Sequence, residues 1–182
     1  TAYTAAPSVV QSFEVKQGPT ITWATPAAIT YGTALSNSQL NASASIPGNM
    51  NYSVLLGNKL PAGTHTITAT FTATDTSYGS FQKSVKLTVN KAPLTITAQN
   101  ASRDEGKANP SFTVTYSGFV NSEDERVLGG TLTFNTNATI NSPAGTYTIT
   151  PSGLTSSNYA ITYVNGTLTV RNKQTFLPFV VR

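Results

Sequence analysis

Hydrophobic and polar residues alternate along most of the chain, and the alternating runs are short. Ile21 and Trp23 share one face of an opening run at 20–23, and further alternating or apolar runs fall at 40–44, 51–55, 64–72 and 81–89. A second series follows at 94–98, 112–116, 130–134, 145–150 and 162–170. A period of two residues predicts strands with one buried face. Pro and Gly punctuate the intervals, as in Pro47-Gly48-Asn49 and Pro61-Ala62-Gly63, because Pro presets φ and Gly accepts φ above zero. Many short strands with turns between them predict an all-β fold, two tandem immunoglobulin-like β-sandwich domains with extended N- and C-terminal segments. One break in the pattern, 118–129, predicts a single helical turn, with Ser122 and Glu125 as a capping box and Gly129 as its stop.

The strand pattern repeats. Tyr78 to Val89 (YGSFQKSVKLTV) returns as Tyr159 to Val170 (YAITYVNGTLTV), and the first series carries Pro61-Ala-Gly-Thr-His-Thr-Ile-Thr68 where the second carries Pro143-Ala-Gly-Thr-Tyr-Thr-Ile-Thr150. Two markers in one order at one spacing imply duplication. Tyr3 to Val15 is a third terminal strand with no body before it in these residues. The domains are then 1–15, an orphan terminal strand of a preceding repeat or a donor strand; 16–90 and 91–170, two sandwiches; and 171–182, an apolar and basic tail. Asn90-Lys91-Ala92 is a short linker, stiffened by Pro93.

Residues 91–170, with KAPLTITAQN, GFVNSEDE, PAGTYTI and SSNYAITYVNGTLTV, resemble the MBG-type (mostly-beta) repeat of large bacterial surface proteins. Residues 16–90, with ITWATPAAITYGTAL and PAGTHTITATFTATDTSY, resemble the bacterial immunoglobulin-like repeats found beside it. The resemblance implies an extracellular protein, secreted or on a bacterial cell surface, adhesive or stalk-like, with no shared active site.

Charge alters this little. The 182 residues carry a net charge of +4 and only 10% charged residues. Lys16, Lys59, Lys83 and Lys86 face Asp75 in the first repeat, while Arg171, Lys173 and Arg182 crowd the tail. No basic stripe with interleaved aromatics forms, which argues against nucleic acid. No apolar run reaches the roughly 20 residues of a membrane-spanning helix. With no cysteine there is neither disulfide nor thiolate chemistry.

Candidate chemistry is sparse. His65 is the one histidine, and Tyr147 stands at its place in the second repeat, so a packing role outweighs catalysis or metal binding. Asp104-Glu105 and Glu123-Asp124-Glu125 lack the alternation of a calcium loop and read as solvated turns. Trp23, Tyr31, Tyr52 and Tyr116 are the aromatics that could stack on a sugar, though Trp23 alternates with Ile21 toward the core. Asn41, Asn51, Asn100, Asn137 and Asn165 lie in Asn-x-Ser/Thr sequons.

No catalytic residue, cofactor or metal is therefore expected, and the protein is read as a non-enzyme. The expected role is a stalk or adhesin shaft. The alternative is a filament subunit joined to neighbouring repeats or copies by β-strand addition through the termini. Its assembly contacts would be Val9, Val10, Phe13 and Val15 at one end and Phe176, Leu177, Phe179 and Val181 at the other. A carbohydrate-binding adhesion module, with a surface glycan as partner, is the third reading.

Overall fold

The computed structural model describes residues 18–173. Among these the fold is all-β, with several sheets and no α-helix. The strands are β1 (Ile21–Thr22), β2 (Ile29–Thr30), β3 (Ser43–Ala44), β4 (Gly48–Tyr52), β5 (Gly63–Ala73) and β6 (Ser80–Asn90). The second repeat continues with β7 (Ala92–Ala98), β8 (Ala101–Asp104), β9 (Val114–Ser117), β10 (Gly129–Asn135), β11 (Gly145–Thr155), β12 (Tyr159–Val164) and β13 (Gly166–Arg171).

The duplication is visible in the topology. One sheet of the first repeat runs β2-β6-β5-β4, and one of the second runs β8-β13-β11-β10, the same order with each strand replaced by its counterpart. In each, the terminal strand lies parallel to an early strand and antiparallel to the long strand that follows the Pro-Ala-Gly turn. The remaining strands form β1-β3 in the first repeat and β12-β7-β9 in the second.

The two terminal strands part company halfway. β6 stays paired with β5 from Ser80 to Val89. The second copy is cut at Asn165: Tyr159 to Val164 pairs with β7, and Gly166 onward pairs with β11. The single run read over 162–170 is therefore two strands in two sheets. Gly166 explains the crossing, because a Cβ there would lie 2.6 Å from the Ala98 carbonyl oxygen and 2.9 Å from that of Gln99. Its counterpart in the first repeat is Val85, which is buried and paired with Ile67 in the unbroken β5–β6 ladder.

Other boundaries also moved. The run expected at 51–55 is β4, which starts at Gly48, inside the expected turn, and leaves Leu55 70% and Leu56 59% exposed. Gly48 packs against Phe71 and the Thr72 carbonyl so closely that a Cβ would clash, and this close approach sets the register. β2 and β8 escaped the pattern because each is short and neither alternates cleanly. The expected capping box is not formed. Asn121 and Ser122 both have left-handed φ, 58° and 59°, so Ser122 lacks the extended backbone of a cap, and Asp124 caps the 3-10 turn Glu125–Val127 instead.

The core is not divided at the linker. One cluster joins Trp23, Leu35, Ile67 and Leu87 of the first repeat to Ala92, Leu94, Ile96 and Tyr159 of the second. A second cluster, Ala98, Ile149, Leu168 and Val170, lies further along the second repeat, and a third, Ile21, Phe71 and Ala73, lies at the start of the first.

Candidate functional site

The join between the repeats carries a connected set of hydrogen bonds. Lys91 alone separates β6 from β7. The turn at 156–158 grips this linker, since the Ser156 carbonyl accepts from Lys91 Nζ at 2.8 Å and the Asn158 carbonyl accepts from the Ala92 N–H at 3.0 Å. Ser156 Oγ takes the N–H groups of Asn158 and Tyr159, both at 3.1 Å, which fixes the shape of the turn. The Asn158 side chain reaches back across the join, and its Oδ1 accepts the Ala62 N–H at 3.0 Å.

Tyr159 is the centre of the site. Its ring, 2% exposed, sits edge-on to Tyr31 of the first repeat at 5.5 Å and to Phe119 at 5.4 Å. Such edge contacts contribute about 0.5–1.5 kcal/mol each beyond burial. Glu123 binds both hydroxyls: Tyr31 donates to Oε1 at 2.6 Å and Tyr159 donates to Oε2. The left-handed pair Asn121 and Ser122 turns the chain so that Glu123 faces inward while Asp124 faces out. Gly32, with φ of 95°, lies against Val120, where a Cβ would fall 2.8 Å from the valine side chain. Asn121 Oδ1 is buried with no hydrogen-bond partner among the described residues.

Titration reflects this packing. Burial first, and then the hydrogen bond to Glu123, push the Tyr159 hydroxyl up to about 12. The hydrogen bond to Glu123, with burial second, raises Tyr31 above the ordinary tyrosine value. Burial also raises Tyr116. Asp124 is held down at about 2 by its hydrogen bonds with the Arg126 side chain and backbone N–H.

The residues singled out in the sequence fall into several places. Val9, Val10, Phe13, Val15, Phe176, Leu177, Phe179 and Val181 lie outside the described residues. His65 and Tyr147 make one and the same contact: the His65 Nε2–H donates to the Pro61 carbonyl at 2.7 Å, and the Tyr147 hydroxyl donates to that of Pro143 at 2.9 Å. Both rings are half-buried, so the position pins the Pro-Ala-Gly turn.

Trp23 is 4% exposed and donates from Nε1 to the Gln39 carbonyl, while Tyr52 packs edge-on against it at 5.3 Å. Tyr31 belongs to the same cluster, and Tyr52 and Tyr116 pack against it. The three carboxylates at 123–125 diverge, and among the described residues no three His, Asp or Glu side chains converge on a point. All five sequon asparagines are exposed, although Asn100 Oδ1 accepts the Thr167 N–H at 2.8 Å.

Two features escaped the sequence reading. Arg103 is 6% exposed and among the described residues binds neutral oxygens, those of Asn109, Asp104 and Thr139, tying β8 to the loop before β11. The pairing of Tyr31 with Tyr159 links residues far apart in sequence. The tyrosine that opens each terminal strand was the available sign, because a large ring at a fixed repeat position needs a fixed partner.

Residues 94–169 match the family model of the MBG domain (YGX type). The matched stretch runs from β7 into β13 and contains Glu123, Asn158 and Tyr159. Tyr31 and Ala62, the other half of the junction, precede this MBG stretch. No curated protein matches the chain.

Proposed function

We propose that this chain is a non-enzymatic load-bearing piece of an extracellular shaft, the stalk of a bacterial surface protein, built from two tandem immunoglobulin-like sandwiches. The observation that carries this reading is the parallel pairing of each terminal strand. β6 lies parallel to β2 through Ile29↔Val89 and Thr30↔Asn90, and β13 lies parallel to β8 from Leu168↔Ala101 to Arg171↔Asp104. A pull on the two ends of a repeat drags such strands in opposite senses, so their hydrogen bonds are loaded together in shear. β12 against β7 adds a further parallel set, Tyr159↔Ala92 to Val164↔Thr97, in the MBG-type repeat. Antiparallel hairpins at the ends would unzip bond by bond instead. The one-residue linker and shared core pass the load between repeats.

Force spectroscopy on the chain held at its two ends tests this. Two rupture peaks are expected, each releasing roughly 25 nm for a repeat of about 80 residues at ~3.3–3.6 Å per residue. The MBG-type repeat should break last, since its parallel pairings are longer. A chain that extends at low force without peaks is no shaft.

A filament joined by strand addition is the second reading, and one observation favours it. The β1-β3 sheet of the first repeat has two strands where its counterpart has three. Against it, the Lys83 ammonium already donates to the Ile21 carbonyl on that sheet at 3.1 Å, and a lysine is a common guard of an open edge. For the carbohydrate reading, Trp23 and Tyr31 are buried while Tyr52 and Tyr116 are half-buried against the core, and a glycan panel that shifts the melting temperature would favour it.

A further inference from the structure

β4 is an outer strand of the sheet β2-β6-β5-β4, and among the described residues no strand pairs with its other side. Hydrogen bonds at its two ends fix which backbone groups face outward. The Ser53 N–H donates to the Thr68 carbonyl at 2.9 Å, and the Thr74 N–H donates to the Pro47 carbonyl at 3.0 Å. Alternation along the antiparallel ladder then turns the N–H and C=O of Asn49 and Asn51 toward β5, and those of Gly48, Met50 and Tyr52 away from it.

Outer strands are ordinarily blunted by brevity, charge, proline or a bulge. The other outer strands of the two four-stranded sheets follow this. β2 has two residues, β8 carries Arg103 and Asp104, and the β10 register breaks between Gly130 and Thr133. β4 reads Gly48-Asn49-Met50-Asn51-Tyr52, with neither charge nor proline. The exposed Leu55 and Leu56 follow it, and with Leu40, Met50 and Tyr52 they border a hollow of about 440 Å³.

The run Asn49-Met50-Asn51 reads the same in both directions, and an antiparallel partner of identical sequence therefore matches it residue for residue. We infer that two copies of this chain pair β4 against β4 about a twofold axis at Met50. Met50 then faces its own copy and Gly48 faces the partner's Tyr52, each pair exchanging both of its outward backbone hydrogen bonds. On the exposed face Asn49 stands opposite the partner's Asn51, where two amides donate to and accept from each other. Neither strand carries a charge, so nothing repels across the axis. Leu55 and Leu56 flank the ladder in each copy and leave water with it. Both copies use the same patch, so the contact closes at two. This goes beyond the shaft reading, because a segment can bear load without associating, and it sets two chains side by side through a strand inside the first repeat.

Sedimentation of the full chain tests the pairing. The weight-average mass should climb with concentration from 19.1 kDa toward twice that value and stop there. Asn49→Lys with Asn51→Lys sets like charges opposite each other across the axis and should return the chain to a monomer. Asn49→Lys with Asn51→Glu sets opposite charges face to face at both crossings and should restore the pair. Both side chains are exposed, and an unchanged melting curve shows that the variants fold. A wild-type chain that stays monomeric to about millimolar concentration overturns the proposal and leaves the edge to a strand of different sequence. Association that continues past two copies overturns it as well, as does association indifferent to the double-lysine variant. A Lys/Glu variant that stays monomeric would remove the twofold register, and the proposal with it.

Discussion

At the residue scale the junction depends on one carboxylate holding two phenols. Tyr159 gains its raised value from burial and from Glu123, so the folded state favours the protonated hydroxyl. The sign follows from linkage: between the ordinary tyrosine value near 10 and about 12 the folded chain binds more protons than the unfolded chain. Stability from this group is therefore fully present below pH 10 and lost as pH rises to 12. Tyr159→Phe should lower stability at pH 8 by about 1.5–3 kcal/mol, the range for a hydrogen bond to a charged group, and flatten the decline between pH 10 and 12. Tyr31, shifted in the same direction, keeps some slope. Urea midpoints at pH 8, 10, 11 and 12 check this, and equal slopes in the two proteins would remove Tyr159 from the account.

At the element scale, glycines decide where strands change sheets. Gly166 lets the second terminal strand pass within contact of the Ala98 and Gln99 carbonyls, whereas its counterpart Val85 is buried and stays paired with Ile67 of β5. Gly166→Val should cost about 3 kcal/mol or more, from overpacking against fixed backbone, and should unfold the second repeat first. Hydrogen exchange would show this as early loss of protection in β7 and β12 with β5 and β6 still protected; uniform loss would contradict it. These positions also mark what the sequence revealed. Period-two alternation located β5, β6, β7 and β11 because their buried faces read Ile67, Ala69 and Phe71, or Leu94 and Ile96, without interruption. The split at Asn165 was hidden because both halves of Tyr159 to Val170 alternate, and alternation does not say which sheet a strand joins. Asp124 replaced Ser122 as the cap because two left-handed residues in a row are a backbone event with weak sequence cues. Likewise, the equivalence of His65 and Tyr147 was legible from the repeat, while the Tyr31–Glu123–Tyr159 contact, formed across the linker, was not.

At the scale of the whole molecule, a short linker and a continuous core should make the two repeats move as one. Lys91 cannot act as a flexible tether when its own ammonium and the next N–H are both held by the 156–158 turn. The protein has no cysteine, so paired spin labels can be placed at will. Lys86→Cys and Thr169→Cys put one exposed label on each repeat. Pulsed dipolar spectroscopy should then give a single narrow distance distribution, and Gly32→Val, which drives a side chain into Val120, should broaden it. A broad distribution in the otherwise unaltered chain, unchanged by Gly32→Val, would mean that the repeats swing freely and that the junction holds nothing.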